Sequence, residues 1–332
     1  MNPEPSPLEH LSATAIPPTP DRRAGFRAIF LGANGIRAGW RFLLYAIFFA
    51  GLIFVFQSVL KQVPSFVEIV KKAQKQGIIT PAAEFIIEGI AIAAAFLAAF
   101  FMSRIEKRSF AVYGIPSRGA FGKLFWQGVL WGLLFETLAM ILISALGGYS
   151  LGTLALAGGA LFKYGVLWAL GFTLVGIQEE FTFRGYSLFT LATGIGFWPS
   201  AILLSALFGA VHLGNQGEGW VGALSVFLFG LFGCFTLRRT GNLWFIIGFH
   251  AASDYAETFI YSVPDSGLSA TGHLLNSTFH GPRWLTGGSI GPEGSAMSFV
   301  VFLLTFVLFS LLYPPKKRAD VGVESQLPES LG

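Results

Sequence analysis

Charged residues are scarce in this chain: only 12% of its 332 residues are Asp, Glu, Lys or Arg, whereas 53% are hydrophobic. A soluble domain carries about 25% charged residues, so this composition excludes an ordinary soluble protein. Cysteine is also scarce, since Cys234 is the only one, which excludes an intramolecular disulfide and a cysteine-based zinc cluster. Cys234 lies in an apolar run, where we expect a small core residue. No His-Glu-x-x-His sequence occurs, which excludes a zincin.

Long apolar segments dominate the chain. Eight of them predict transmembrane helices, at residues 40–60, 83–103, 125–146, 163–193, 198–213, 220–237, 242–261 and 297–313. The sequence therefore predicts an all-α polytopic membrane protein with about eight transmembrane helices and an active site buried within the bundle. One domain is expected over residues 39–313. Residues 1–38 and 314–332 are predicted to be cytosolic tails, the first of them disordered.

The distribution of basic residues predicts the orientation in the membrane. With both termini cytosolic, the cytosolic segments hold fifteen basic residues: Arg22, Arg23, Arg27, Arg37, Arg41, Arg104, Lys107, Arg108, Arg118, Lys123, Arg238, Arg239, Lys316, Lys317 and Arg318. The outer segments hold five: Lys61, Lys71, Lys72, Lys75 and Arg283. The positive-inside rule favours this orientation, with the Gly- and Pro-rich stretch 263–296 as an outer loop. Since the basic residues are scattered, nucleic-acid binding is not expected.

The stretch Gln178–Gly185 places two adjacent carboxylates and an arginine inside an apolar run. Ionised groups within the membrane are costly, and they persist only when they are paired or used. On a helix, Glu180 and Arg184 lie four residues apart and can pair on one face. Glu179 projects about 100° away from Glu180, so the pairing leaves Glu179 for another role.

Two further helices carry polar groups of the same kind. Phe208 precedes His212 by four residues and can wall its ring, while His250 and Asp254 form a polar face of their own. The turn at residues 194–199 lies midway between Glu179 and His212. At about 1.5 Å per residue, both lie roughly 23 Å from this turn, so an antiparallel hairpin brings them to one depth.

These four side chains suit hydrolysis. Glu179 can act as a general base toward water, and two imidazoles with carboxylates also suit zinc. The alternative is a set of interhelical hydrogen bonds that hold the bundle together. Three polar clusters that reach one depth on separate helices favour a function.

The three motifs together resemble those of a known family. Glu-Glu-x-x-x-Arg on one helix, Phe-x-x-x-His on the next and His-x-x-x-Asp two helices later are similar to the motifs of the CPBP intramembrane proteases. This family includes the type II CAAX prenyl endopeptidases and the bacterial Abi proteins. The resemblance covers residues 160–262, whereas the first three helices and the last one match only as apolar spans.

The resemblance implies an eight-helix intramembrane endopeptidase whose site opens toward the cytosol. It implies that Glu179 and His212 activate water, with Glu180, Arg184 and Phe208 as structural support. It also implies that His250 and Asp254 bind metal or stabilise the oxyanion.

Many CAAX-processing relatives carry Asn where this chain has Asp254. A carboxylate is the better metal ligand, so we expect zinc bound by Glu179, His212, His250 and Asp254, with a metal-free glutamate mechanism as the alternative.

The expected partners are membrane lipid and a peptide or membrane-protein substrate, in the plasma membrane of a bacterium. Two other functions stay open: an ion- or proton-coupled transporter and a catalytically silent membrane scaffold.

Four other features need an interpretation. Glu84 is expected near a membrane interface, whereas Glu88, Glu136 and Glu257 are expected to face the bundle interior, as hydrogen-bonding groups or as substrate contacts. Gly128 and Gly132 suit close helix packing. The Gly-x-Ser-x-Gly pattern at residues 287–291 has no strand before it and no helix after it, so we interpret it as a chance match.

Overall fold

The structure is a computed structural model that describes residues 25, 27–32, 35–69, 77–215, 217 and 219–315. We number its longer helices as follows: α1 Ala38–Leu60, α2 Pro81–Glu106, α3 Lys123–Ala145, α4 Gly158–Glu180, α5 Leu188–Ile195, α6 Phe197–His212, α7 Trp220–Thr240, α8 Trp244–Tyr255 and α9 Ala296–Leu312. A π-helical segment, Phe181–Ser187, joins α4 to α5, and a second one, Ala256–Ile260, extends α8. Single helical turns lie at Arg27–Phe30, Phe110–Val112, Arg283–Thr286 and Pro292–Gly294.

Three short strand pairs complete the secondary structure of the described residues. Leu31–Gly32 pairs with Gly35–Ile36 in antiparallel orientation, Ile78–Ile79 with Ser269–Ala270 in parallel, and Tyr149–Ser150 with Thr278–Phe279 in antiparallel orientation. Each strand has two residues, so these pairs fasten connecting segments and form no layer of their own. The fold is all-α.

The predicted apolar segments coincide with helices. Five helical stretches are long and apolar enough to cross a membrane: Ala38–Leu60, Pro81–Glu106, Lys123–Ala145, Gly158–Ile195 and Trp220–Thr240. The chain is therefore an all-α integral membrane protein, as expected. The helices α6 and α9 are shorter, with 16 and 17 residues, and α8 has 12 before its π segment. The number of eight spans thus stays a prediction.

The predicted tails lie mostly outside the described residues, which begin at residue 25 and end at residue 315. The described part of the first tail contains a helical turn and a strand pair. The Arg37 guanidinium donates to the backbone carbonyl of Ala28, and the Trp40 indole donates to that of Ile29, so these elements contact the start of α1. The disorder expected for residues 1–38 stays a prediction.

The bundle has two ends that side-chain and backbone contacts define. At the first, which we call the terminal end because α1 starts and α9 finishes there, Arg41 pairs with Glu106 at 2.7 Å. The backbone N–H of Leu243 donates to the carbonyl of Gly114 at this end too. At the other, the distal end, the strand pairs of residues 78–79 and 149–150 hold the loop 263–295 against the connections between helices. The predicted outer loop is therefore a folded cap on the distal end.

The helix α8 is the centre of the bundle, since every residue from Trp244 to Ser253 is buried. Its backbone lies directly against α3. A Cβ atom at Gly132 would lie 2.2 Å from the carbonyl oxygen of Phe249, and one at Gly128 would lie 1.9 Å from that of Phe245. The expectation that Gly128 and Gly132 serve close packing is confirmed, because nothing larger than hydrogen fits there.

Replacing Gly132 should therefore destabilise the bundle. Gly132→Ala forces α3 away from α8, and overpacking of this kind costs about 1–3 kcal/mol. Thermal unfolding of the purified protein in detergent measures the effect. Gly51→Ala is the matched control, since a Cβ at this position in α1 meets no atom within 4 Å. Equal unfolding temperatures for the two variants would contradict the packing argument.

Candidate active site

A buried ion pair lies at the centre of the site. Glu180, the last residue of α4, and Arg184, in the following π segment, have fully buried side chains, and their closest atoms, Oε1 and Nη1, lie 3.3 Å apart. The pairing predicted from the sequence is present. Small residues of α7 give this pair its space, because a Cβ at Gly230 would lie 2.7 Å from Arg184 Nη2 and one at Gly233 would lie 3.3 Å from Glu180 Oε2.

Glu180 also contacts His250, which the sequence did not predict. Its Oε1 atom lies 2.9 Å from His250 Nδ1, while His250 Nε2 lies 3.4 Å from Asp254 Oδ2 and 3.7 Å from Glu179 Oε2. Carboxylates thus lie beside both ring nitrogens. This geometry suits an imidazole that donates from both nitrogens, or a carboxyl group that carries a proton. Glu180 therefore supports the site directly, by fixing the orientation of the His250 ring.

Aromatic rings hold the two histidines in place. The Phe208 ring lies edge-on to the His212 ring at 4.7 Å between centroids, so Phe208 walls His212 as expected. The Arg184 guanidinium lies over the same Phe208 ring, 4.2 Å from its centroid. Phe229 of α7 contacts His250 in the same edge-on manner, at 4.7 Å. The polar groups therefore have apolar walls that exclude bulk water from their sides.

The Glu-Glu-x-x-x-Arg motif and the His-x-x-x-Asp motif each lie at a π-helical segment. Gly185 has φ −83° and ψ −113°, which is not helical, and it interrupts the helix directly after Arg184. The second π segment begins two residues after Asp254. Such segments add a residue to a turn and turn the following side chains, and they occur often at functional sites. The motifs alone carry no signal for them.

A cavity of about 400 Å³ brings the predicted residues together. Glu179, His212, His250 and Asp254 all line it, and so does Phe208. Gly196, with φ 84°, makes the turn between α5 and α6 that the sequence predicted at residues 194–199. The hairpin thus places Glu179 and His212 in one cavity, as the residue count indicated.

The cavity lies toward the distal end of the bundle. Its walls include Glu84 near the start of α2, Asn215 after the end of α6, and Asp265 and Glu293 of the distal loop. The start of α1 and the end of α9, which lead to the two termini, lie at the opposite end. Two expectations therefore conflict, namely cytosolic termini and a site that opens to the cytosol. Both can hold only if the cavity lies at the terminal end of the bundle.

The sequence missed three carboxylates of this cavity, one of which is Glu293 of the distal loop. Glu84, expected at a membrane interface, is buried, with 6% of its surface exposed, and it lines the cavity. Asp265 accepts a hydrogen bond of 3.0 Å from Thr258. Burial raises the pKa of Asp265 to about 6, although the bond from Thr258 acts in the opposite direction. The folding of the distal loop over the bundle places Asp265 here, and no local pattern encodes it.

The described side chains do not fit a metal ion. No group of three or more His, Cys, Asp or Glu residues in the described ranges has an arrangement that could hold one. Around His250 the carboxylates lie at hydrogen-bond and ion-pair distances from the ring nitrogens themselves. Zinc held by Glu179, His212, His250 and Asp254 therefore stays a prediction.

Comparison with known proteins supports the same region of the chain. Residues 161–256 match the family model described as Rce1-like, type II CAAX prenyl endopeptidase Rce1-like. The matched segment contains all three motifs, so the resemblance inferred from them is confirmed. The helices α1, α2 and α3 and the helix α9 lie outside the match. Searches of curated proteins and of solved structures returned no match.

The ion pair predicts which substitutions at the site destabilise the protein and which do not. Glu180→Gln and Arg184→Ala each leave a buried charge without its partner, which costs about 3–5 kcal/mol of unfolding free energy. Glu179→Gln should cost far less, because 24% of this side chain is exposed and no arginine pairs with it. Thermal unfolding in detergent compares the three variants. A loss of stability in Glu179→Gln as large as in the other two would refute this division.

Proposed function

We propose, on the premise that this chain carries an Rce1-like domain of the CAAX protease family, that it is an intramembrane endopeptidase with Glu179 as general base. One observation carries the proposal. Glu179 lines the same cavity as both histidines and lies 3.7 Å from His250 Nε2, whereas its neighbour Glu180 contacts Arg184 and His250. Glu179 is thus the carboxylate of the pair that is free to accept a proton from water.

His212 supports this role through its tautomer. Its Nδ1 atom lies 2.8 Å from the backbone carbonyl oxygen of Phe208. A carbonyl oxygen only accepts, so Nδ1 carries the hydrogen, and Nε2 of the neutral ring is left as an acceptor. His212 can therefore orient a water molecule by accepting one of its hydrogens while Glu179 takes the other.

The reaction follows from these roles. The Glu179 carboxylate removes a proton from water, and the oxygen attacks the carbonyl carbon of the scissile peptide bond. His250, supported by Glu180 and Asp254, donates to the oxyanion that forms. The tetrahedral intermediate then collapses, the C–N bond breaks, and the leaving amine takes the proton from Glu179.

Orientation in the membrane is part of the proposal. The termini are cytosolic, as the ratio of fifteen to five basic residues favours, and the cavity then faces the outer side of the membrane. The expectation of a cytosolic opening came from the resemblance alone, and we set it aside for this chain. The substrate is then a peptide or membrane protein whose scissile bond is reached from outside.

Cysteine labelling tests the orientation. The native Cys234 is buried and gives little background. Thr278→Cys lies in an exposed position of the distal loop, and Ser117→Cys is exposed at the terminal end. In intact cells, a membrane-impermeant maleimide should label Thr278→Cys and should reach Ser117→Cys only after permeabilisation. The reverse pattern would put the cavity on the cytosolic side.

Substitution of Glu179 tests the mechanism. Glu179→Gln should lower cleavage of a pool of quenched-fluorescent peptides by purified protein by at least about a hundredfold, the lower range for a general base. Its unfolding temperature should stay close to that of the wild type. Glu68→Gln, which removes an exposed carboxylate near the distal end, is the control and should keep full activity.

Three other results would change the assignment. Undiminished cleavage by Glu179→Gln would refute the role of Glu179. Cleavage that a strong chelator abolishes and added zinc restores would favour the zinc hypothesis over an unaided glutamate. Ion flux in liposomes without any cleavage would favour the transporter instead.

A further inference from the structure

The cavity is far more acidic than the proposed reaction requires. Eight carboxylic side chains line it: Glu84, Glu88, Glu136, Glu179, Asp254, Glu257, Asp265 and Glu293. Two histidines accompany them, and no lysine or arginine is among its described lining residues. The reaction uses Glu179 and Asp254, so six carboxylic groups have no role in it.

Glu136 and Glu257 stand out among the six. Glu136 of α3 is 2% exposed and Glu257, in the π segment after α8, is 5% exposed. One carboxylate oxygen of each, Oε1, is buried and has no hydrogen-bond partner among the described residues; the same holds for Oε2 of Glu88, but the Glu88 side chain is only half-buried. The expectation that such groups serve as interhelical hydrogen bonds does not account for these oxygens. A buried acceptor without a donor costs stability, and it persists where a ligand supplies the donor.

The distal loop is shaped around Glu257. A Cβ atom at Gly291 would lie 2.0 Å from the carbonyl oxygen of Pro264 and 2.6 Å from Glu257 Oε1, and the φ of 121° at this position also favours glycine. On the same side, Thr258 anchors Asp265 of the loop by a hydrogen bond. The loop therefore leaves the Glu257 carboxylate its space and adds a second carboxylate beside it.

The charge and apolarity of the cavity walls favour one class of ligand over others. A metal ion is disfavoured, because no group of three or more suitable side chains among the described residues could hold one. A free C-terminal carboxylate would meet carboxylates on several sides with no lysine or arginine to pair with. A cation on an apolar stem fits best, since Phe135, Phe172 and Val175 form apolar walls next to the carboxylates.

From this arrangement we infer that the cavity binds a lysine or arginine side chain of an otherwise apolar peptide, with Glu136 and Glu257 as its acceptors. The inference rests on the proposed function in taking the peptide as the substrate. The aliphatic stem lies along the apolar walls, and the charged head donates to the Glu136 and Glu257 carboxylates, which line the cavity. Charge-assisted hydrogen bonds of this kind are about twice as strong as neutral ones, so the basic side chain sets the register of the peptide at Glu179.

Peptide binding tests the inference without requiring cleavage. Three fluorescent peptides rich in Leu and Ala differ only in their central residue, which is Lys, Gln or Glu. Acetylated and amidated ends remove the terminal charges, so that an N-terminal ammonium cannot substitute for the side chain. Fluorescence anisotropy measures their dissociation constants on the purified protein in detergent, in the Glu179→Gln background that prevents turnover.

The Lys peptide should bind about tenfold more tightly than the Gln peptide, and the Glu peptide should bind most weakly. Glu136→Gln and Glu257→Gln should each reduce the preference for Lys, and the double variant should abolish it. Glu68→Gln removes a carboxylate near the same end outside the cavity, so it should leave the preference unchanged. A second free-amine peptide with a central Gln shows whether a terminal ammonium binds as well as the side chain does.

The unfolding temperature separates this role from a structural one. Because Glu136 Oε1 and Glu257 Oε1 lose no hydrogen bond, both Gln variants should unfold at the wild-type temperature or above it. Equal affinity for all three peptides overturns the inference, and this comparison needs no variant at either position. A preference for Lys that survives in both Gln variants overturns the assignment to these residues. If the peptides show the Lys preference but the wild type cleaves nothing, the proposed function fails and the cation site stands.

Discussion

Everything in the site depends on one constraint, that a charge inside the bundle needs a partner. Arg184 is fully buried, and it forms an ion pair with the Glu180 carboxylate at 3.3 Å. The same carboxylate oxygen reaches His250 on α8, and the same guanidinium covers the Phe208 ring that walls His212. One ion pair thus links α4, α6 and α8. Because Arg184 and His250 both contact Glu180, the neighbouring Glu179 is not needed to pair with the buried arginine, and it faces the cavity.

The sequence predicts the helices well, because a lipid environment makes length and apolarity nearly sufficient. The ends of α1 and α6 lie within two residues of the predicted limits, and Gly196 makes the predicted turn. The pairing of Glu180 with Arg184 was also predictable, since spacing on a helix decides it. The contact of Glu180 with His250 was not, because it depends on how α4 packs against α8. Nor was Asp265, which a folded loop brings into the cavity from outside the spans.

The π-helical segments explain why spacing alone falls short. A spacing of four residues places two side chains on one face only in a regular helix. The helix that begins with α4 departs from regular geometry at Gly185, and α8 does so after Tyr255. Each departure turns the side chains that follow, including Glu257, away from the direction that a regular helix would give. The π segments carry Arg184 and Glu257, whereas Glu179, Glu180, His250 and Asp254 lie on the regular turns before them. Local pattern therefore locates the site on the chain but does not define its walls.

Two kinds of buried carboxylate thus coexist in one small bundle, and they differ in their charged partners. Glu180 Oε1 contacts Arg184 and His250, so its charge contributes to a fixed scaffold that substitution would break, although its Oε2 has no hydrogen-bond partner among the described residues. Glu136 and Glu257 each have an oxygen without a hydrogen-bond partner and form no ion pair among the described residues, so their burial lowers the stability of the protein. A bundle selected for stability alone would replace them with apolar or amide side chains. Their retention beside Glu179, in a cavity without lysine or arginine among its described walls, is what a site that receives a positive charge from outside requires.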